Sequence, residues 1–260
     1  MTKSIGVISG KGGTGKTIFS INLSIALNQL GKKTVLIDGN ITMPHVAQYL
    51  GIENFNFTLN DVLKEKVNIL NAFYNFNGIK ILPSSTKIED LKDVDIKKLK
   101  RNVEILKKSG NIDFIIIDGA PGIGKEALAI IEASDDIILV TNPFDQMIED
   151  VLKLKEILSY FGNKKAHLVL NMGFWPSKSK IEEIEQKTKM KVLGIIPTDK
   201  KIQKSLINRI PLMEYSKKSI TAECFRIIAS KISEEEYNQS LKFKIFSQIM
   251  ELKNKLEYIL

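Results

Sequence analysis

Residues 10–17 read Gly10-Lys-Gly-Gly-Thr-Gly-Lys-Thr17, the full GxxxxGK[ST] pattern. Its setting decides the fold. Ile5–Ser9 (IGVIS) precedes it and reads as a buried strand. Thr17–Leu30 follows it with the period of an amphipathic helix that Gly31 ends. A strand, a glycine-rich loop and a helix, in that order, make a phosphate cradle. Gly10, Gly12, Gly13 and Gly15, with Lys11 and Thr14 among them, let successive backbone N–H groups aim into one concavity. The helix N-terminus adds its positive dipole end there. Lys16 is then expected at the β- and γ-phosphates of a nucleotide, and the Thr17 hydroxyl on Mg²⁺. The plainer alternative, a strand-to-helix turn with no ligand, is outweighed by so long a motif in this setting.

Further apolar runs alternate with helical segments along the chain. Lys33–Asp38 (KTVLID), Ile79–Leu82, Asp113–Asp118 (DFIIID), Asp136–Val140, Ala166–Leu170 and Lys191–Ile196 read as strands. Between them lie helical patterns over 97–108, 126–132, 151–161 and 181–187, with another over 218–233, while 41–77 reads as short helices and loops. Strands apolar on both faces and separated by helices predict an α/β fold: a doubly wound, mainly parallel sheet covered on both sides. Asp118 and Asp38 end two such strands, at the edge where such sheets bind ligands. Both are candidates for the metal side of the site, Asp118 holding Mg²⁺ through water. The acidic stretch from Ser233 to Gln239 predicts a boundary, with one domain over 1–233 and a linker and amphipathic helix over 234–260.

Lys11-Gly-Gly-Thr-Gly-Lys16-Thr17 carries an extra lysine just after the first glycine of the motif. This KGGxGKT pattern resembles the MinD/ParA group of P-loop ATPases. The segments 36–52, 58–63, 81–85, 114–124, 139–143, 168–172 and 194–200 are similar in order and spacing to those of archaeal MinD-like proteins. The resemblance covers residues 3 to about 233. It implies an ATPase that binds ATP and Mg²⁺ and cycles between a monomer and an ATP-sandwiched homodimer to position a protein partner or a cell structure. It further implies that Lys11 reaches the partner subunit's phosphates, that Asn171 bonds adenine, and that backbone groups near Pro197 and Asp199 complete the adenine pocket. Asn171 read without the resemblance is equally a turn residue. One departure stands out: the family's switch segment commonly reads D-x-D, and here it is Asp38-Gly39-Asn40. An amide can bond water but cannot take its proton, so slow hydrolysis is expected.

The chain has 260 residues, 43% of them hydrophobic, with one cysteine, Cys224. One cysteine excludes a disulfide framework and any CxxC metal or iron–sulfur site built by one chain. The N-terminus reaches the glycine loop by residue 10, so a signal peptide is not expected and a cytoplasmic protein is. The net charge is +8, and 35 of the 38 basic residues are lysines. A basic balance suits nucleic acid or an anionic membrane, but a lysine-rich, arginine-poor surface fits a solvated exterior better. That makes a ParA-like DNA-binding role the second reading. His45 and His167 have no metal-ligand spacing and read as structural. At the C-terminus, Leu241, Ile245, Ile249, Leu252, Leu256 and Ile259 share one helical face. From Ile245 their spacing is the a/d rhythm of a coiled-coil seam. Packing on the chain's own domain or on a second subunit is therefore expected first, with docking on a partner helix as a separate reading. A peripheral membrane contact through 241–260, suggested by Phe243, Phe246 and the lysines, comes second.

Overall fold

The structure, a computed structural model, describes residues 1–162, 164–173 and 175–257, with the backbone alone for 255–257. Eight strands form a single sheet: β1 (Lys3–Ser9), β2 (Thr34–Asp38), β3 (Tyr74–Phe76), β4 (Ile79–Leu82), β5 (Phe114–Pro121), β6 (Asp136–Thr141), β7 (Lys165–Gly173) and β8 (Lys191–Pro197). Their order across the sheet is β3-β4-β2-β5-β1-β6-β7-β8. Every neighbouring pair is parallel except β3 and β4. β1 therefore sits in the middle, and the chain winds outward from it on both sides, as the doubly wound reading requires.

The sheet is apolar on both faces because helices cover both. Val35 and Ile37 of β2 and Ile115 and Ile117 of β5 face a layer built from α4 (Lys98–Lys108), α5 (Lys125–Ala133), α6 (Asp145–Ser159) and α7 (Lys178–Thr188). Leu36 and Ile116, one residue out of phase, face the opposite layer with α1 (Lys16–Gln29) and α10 (Ile220–Ser233). The two-residue period of a strand splits each run between two cores. Short helices α2 (Val46–Tyr49), α3 (Leu59–Leu63), α8 (Lys200–Ile207) and α9 (Leu212–Tyr215) fill the connections.

Two features were not expected from sequence. Within 41–77, β3 folds back on β4 as a hairpin through Asn77-Gly78, both with positive φ (45° and 87°), the backbone a two-residue hairpin turn demands. At the far edge, α7 and α10 reach over β8. Glu185 Oε1 accepts the Val192 N–H at 2.7 Å, and Lys231 Nζ donates to the Leu193 carbonyl at 2.6 Å.

The last helix, α11 (Leu241–Glu257), docks differently from its heptad rhythm. Phe243 is buried, and it and Phe246 meet the Trp175 ring edge-on at 6.1 and 5.3 Å between centroids. Ser240, just before the helix, donates its N–H and its hydroxyl to the Glu223 carboxylate of α10, and Asn254 Nδ2 donates to the Trp175 carbonyl at 3.2 Å. Leu241, Ile245, Ile249 and Leu252 remain 47–73% exposed. The packing face is thus the aromatic one, because two phenylalanines beside a tryptophan bury more apolar area than the aliphatic seam. The Leu256 side chain and Ile259 lie outside the described residues.

Candidate nucleotide site

The glycine loop leaves the end of β1 at the centre of the sheet and opens α1. Gly13 and Gly15 take positive φ (78° and 84°). At Gly15 the neighbour is as demanding as the torsion: a Cβ there would stand 2.4 Å from Asn171 Nδ2. Asn171, at the end of β7, is buried and donates that amide to the Thr14 carbonyl at 2.7 Å. It props the loop from beneath. Ser9 Oγ donates to the Lys11 carbonyl at 2.6 Å and accepts from Lys16 Nζ at 2.8 Å. Burial pushes the Lys16 ammonium below its ordinary value, with the Asp118 charge opposing.

Two carboxylates lie below the loop. Asp38 of β2 and Asp118 of β5 are paired in register, and both are buried. Asp118 accepts the Thr17 hydroxyl at 2.6 Å and the Ser20 hydroxyl at 2.8 Å. Ser20 follows Thr17 by three residues on α1, so both hydroxyls point from one helix face; the sequence reading missed it. Asp38 accepts the backbone N–H groups of Asn40, His45 and Val46 at 3.0–3.2 Å, tying the segment after β2 to the strand end. Burial, and then the Asp118 charge, raise Asp38 well above the usual carboxylate range, against those three hydrogen bonds. Burial raises Asp118 to about 6, with Thr17, Ser20 and Lys16 opposing.

This donor set fits a nucleotide with a divalent cation. The Thr14 hydroxyl is buried with no hydrogen-bond partner, and two neighbouring carboxylates share a site that disfavours their charge. Among the described residues no group of three or more His, Cys, Asp or Glu gathers as a metal cage. Two carboxylates and a threonine hydroxyl suit Mg²⁺, which takes its remaining ligands from phosphates and water.

Above the loop is a cleft of about 490 Å³, bordered by Lys16, Thr17, Asn40, Pro121, Glu126 and Met172 among others. Asn40 Oδ1 accepts the Met43 N–H at 3.2 Å. Glu126, in the first turn of α5, accepts the Thr42 N–H at 3.0 Å and the Thr42 hydroxyl through the same oxygen. Neither Ser20 nor Glu126 carries a local signal; each is found through a partner distant in sequence. Lys11, exposed on the loop, holds its Nζ 3.0 Å from Asp150 Oδ2 on α6 of the same chain, a charge contact without hydrogen-bond alignment. Pro197 and Asp199 do not border the cleft. Pro197 pairs with Gly173 at the end of β8, and the Asp199 carboxylate caps α8 at Lys201 N–H and accepts the Thr221 hydroxyl. His45 borders the cleft and stacks on Tyr49, and His167 lies within β7.

The chain matches known proteins over most of its length. The model of the ParA family, described as "NUBPL iron-transfer P-loop NTPase", matches residues 1–233. An uncharacterized ATP-binding protein of Methanocaldococcus jannaschii is 33% identical, over 94% of this chain and 92% of its own. The septum site-determining protein MinD of Synechocystis is 30% identical, over 91% of each. The solved structure of MinD from Pyrococcus horikoshii, complexed with Mg-ADP, superposes with a TM-score of 0.82 at 33% identity, covering 89% of this chain and 96% of that one. Family model, sequence relatives and solved structure agree: the chain belongs to the MinD/ParA family of P-loop NTPases.

Proposed function

We propose that this chain is a slow, MinD-type ATPase that binds ATP with Mg²⁺ and is switched by it between monomer and sandwiched homodimer. The observation that carries the reading is the buried Asp38–Asp118 pair under a glycine loop whose Thr14 hydroxyl has no partner. Mg²⁺, held by Thr17 and Asp118, would supply positive charge to the phosphates. The loop N–H groups hold the phosphates. Lys16 moves its ammonium from Ser9 to the phosphates, and the Thr17 hydroxyl and Asp118 serve the metal, with Asp38 beside them. Asn171 keeps Nδ2 on Thr14 and offers Oδ1 to the adenine amino group. Near Pro197 and Asp199, whose carboxylate is committed elsewhere, the backbone completes the base pocket.

Lys11 gives the switch its physical basis. Held by Asp150 in one chain, it crosses to the phosphates of the second chain in the ATP state and cancels charge as an arginine finger does. Residues 1–233 form the ATPase unit, and 234–260 carry its output toward a protein partner or a membrane surface. Among the described residues no helix is long and apolar enough to cross a membrane.

The iron-carrier relation in the family model is the reading to weigh against this one. Cys224 is buried, and burial pushes its thiol up to about 12. A thiol held protonated in a core is a poor metal ligand, which supports the nucleotide switch over a cluster carrier. Molar mass in solution tests the proposal: a dimer with ATP and a monomer with ADP are expected, and a monomer in both states overturns the sandwich.

A further inference from the structure

We infer that Glu126 supplies to the attacking water the carboxylate that Asn40 lacks. This rests on the ATPase reading above and assigns a residue within it. Among the described residues bordering the cleft, Glu126 is the one carboxylate. Asp38 and Asp118 are buried beneath the loop, and hydrogen bonds from the chain already engage both oxygens of each. Asn40 is a neutral amide whose oxygen accepts the Met43 N–H. A water arriving in this cleft therefore finds one carboxylate able to take its proton, beside an imidazole, His45, that stacks on Tyr49.

Glu126 is also held in place. It stands in the first turn of α5, on the layer packed beneath β5 and β1. Its Oε1 accepts both the N–H and the hydroxyl of Thr42. Pinning one carboxylate oxygen with two donors fixes the other, Oε2, as the oxygen left to receive a proton. Thr42 lies two residues beyond Asn40, so the same contact ties α5 to the segment that departs from the family pattern. The step balances with the groups named. Water donates a proton to Oε2 as its oxygen bonds to the γ-phosphorus. The bond from that phosphorus to the bridging oxygen breaks, and its electron pair leaves on ADP. The proton returns to phosphate or bulk water, regenerating the carboxylate. General-base assistance of this kind contributes about a hundredfold or more.

Glu126→Gln separates the two roles of this side chain. Glutamine keeps a carbonyl oxygen for both Thr42 donors but cannot take a proton. In the full chain, E126Q is expected to lower kcat for ATP about a hundredfold with KM little changed. Its affinity for ATPγS should stay constant, while its affinity for Mg·ADP with aluminium fluoride, which mimics the transferring group with its water, should fall about tenfold or more. Asn40→Asp added to E126Q should restore turnover. Turnover by E126Q equal to that of the unsubstituted chain overturns the assignment. So does an equal loss of affinity for ATPγS and the fluoride complex, or a double variant that stays inactive. Failure of the underlying reading looks different: the unsubstituted chain then hydrolyses no ATP, or binds no nucleotide.

Discussion

Asp118 and Asp38 hold two carboxylates side by side out of water, an arrangement that costs the nucleotide-free protein stability. Asp118 titrates at about 6 in the fold against 3.8 for the free group. Between those values the folded state holds a proton that the unfolded chain has released. Stability of the nucleotide-free protein should therefore fall as pH rises from about 4 through about 6, and Asp38, raised by the same burial, adds to that fall. Asp118→Asn keeps partners for the Thr17 and Ser20 hydroxyls and removes the buried charge. Its melting temperature at pH 7.5 should exceed that of the unsubstituted protein by ~5 °C, with the acid-side slope flattened and Mg²⁺-dependent nucleotide binding lost; differential scanning fluorimetry across pH reads all three. At Asn40, restoring a carboxylate should speed hydrolysis: Asn40→Asp is expected to raise kcat about tenfold, and an unchanged steady-state rate would sink the idea that the amide limits turnover. The residues of the motif were legible because their chemistry is local. Ser20 and Glu126 were not, since their roles come from Asp118 and Thr42, 98 and 84 residues away. Asn171 stood between two readings, and its hydrogen bond to Thr14 shows a third task, bracing the loop.

At the level of elements, the strands were the legible part, because a parallel strand buried on both faces is a short unbroken apolar run. The hairpin of β3 and β4 escaped despite its Asn-Gly turn, since β3 has only three residues, all at least partly exposed. α8 and α9 escaped because they are too short for a helical period to assert itself. The seam of α11 misled for a physical reason. Periodicity reports which residues share a face, and not which of two apolar faces finds a partner. Trp175 is the chain's one tryptophan, so its fluorescence reports the docking of α11 directly. Phe243→Ala removes a buried ring at the root of the helix, on the order of 2–3 kcal/mol of apolar burial. The Trp175 emission should shift to the red, and the segment 238–257 should exchange its amide hydrogens faster. Unchanged emission would mean that α11 is not seated on Trp175.

For the whole molecule, the central position of β1 puts the glycine loop at the middle of the sheet's ligand edge, with Lys11 exposed beside α6. The Lys11–Asp150 contact spans 3.0 Å, with the lysine half-exposed, and such partly exposed pairs contribute little. The lysine is therefore free to exchange one carboxylate for a second chain's phosphates at small cost. In the molar-mass measurement, Lys11→Ala should bind ATP with affinity near that of the unsubstituted chain and yet remain a monomer, whereas Lys16→Ala should lose binding as well. The doubly wound architecture was legible from the alternation of strands and helices alone. The outward winding from β1 was not, because strand order is fixed by contacts between distant segments.

The two side chains laid across β8 have a consequence for how this protein lives among its neighbours. A sheet ends somewhere, and its last strand offers unpaired amides and carbonyls to any passing extended chain. Here Glu185 takes one such amide and Lys231 one such carbonyl. At the opposite margin, the strand is three residues long and runs against its neighbour. Neither border is a good template for strand addition. The sheet is thereby guarded, at both of its margins, against the sticking that ends in fibrils.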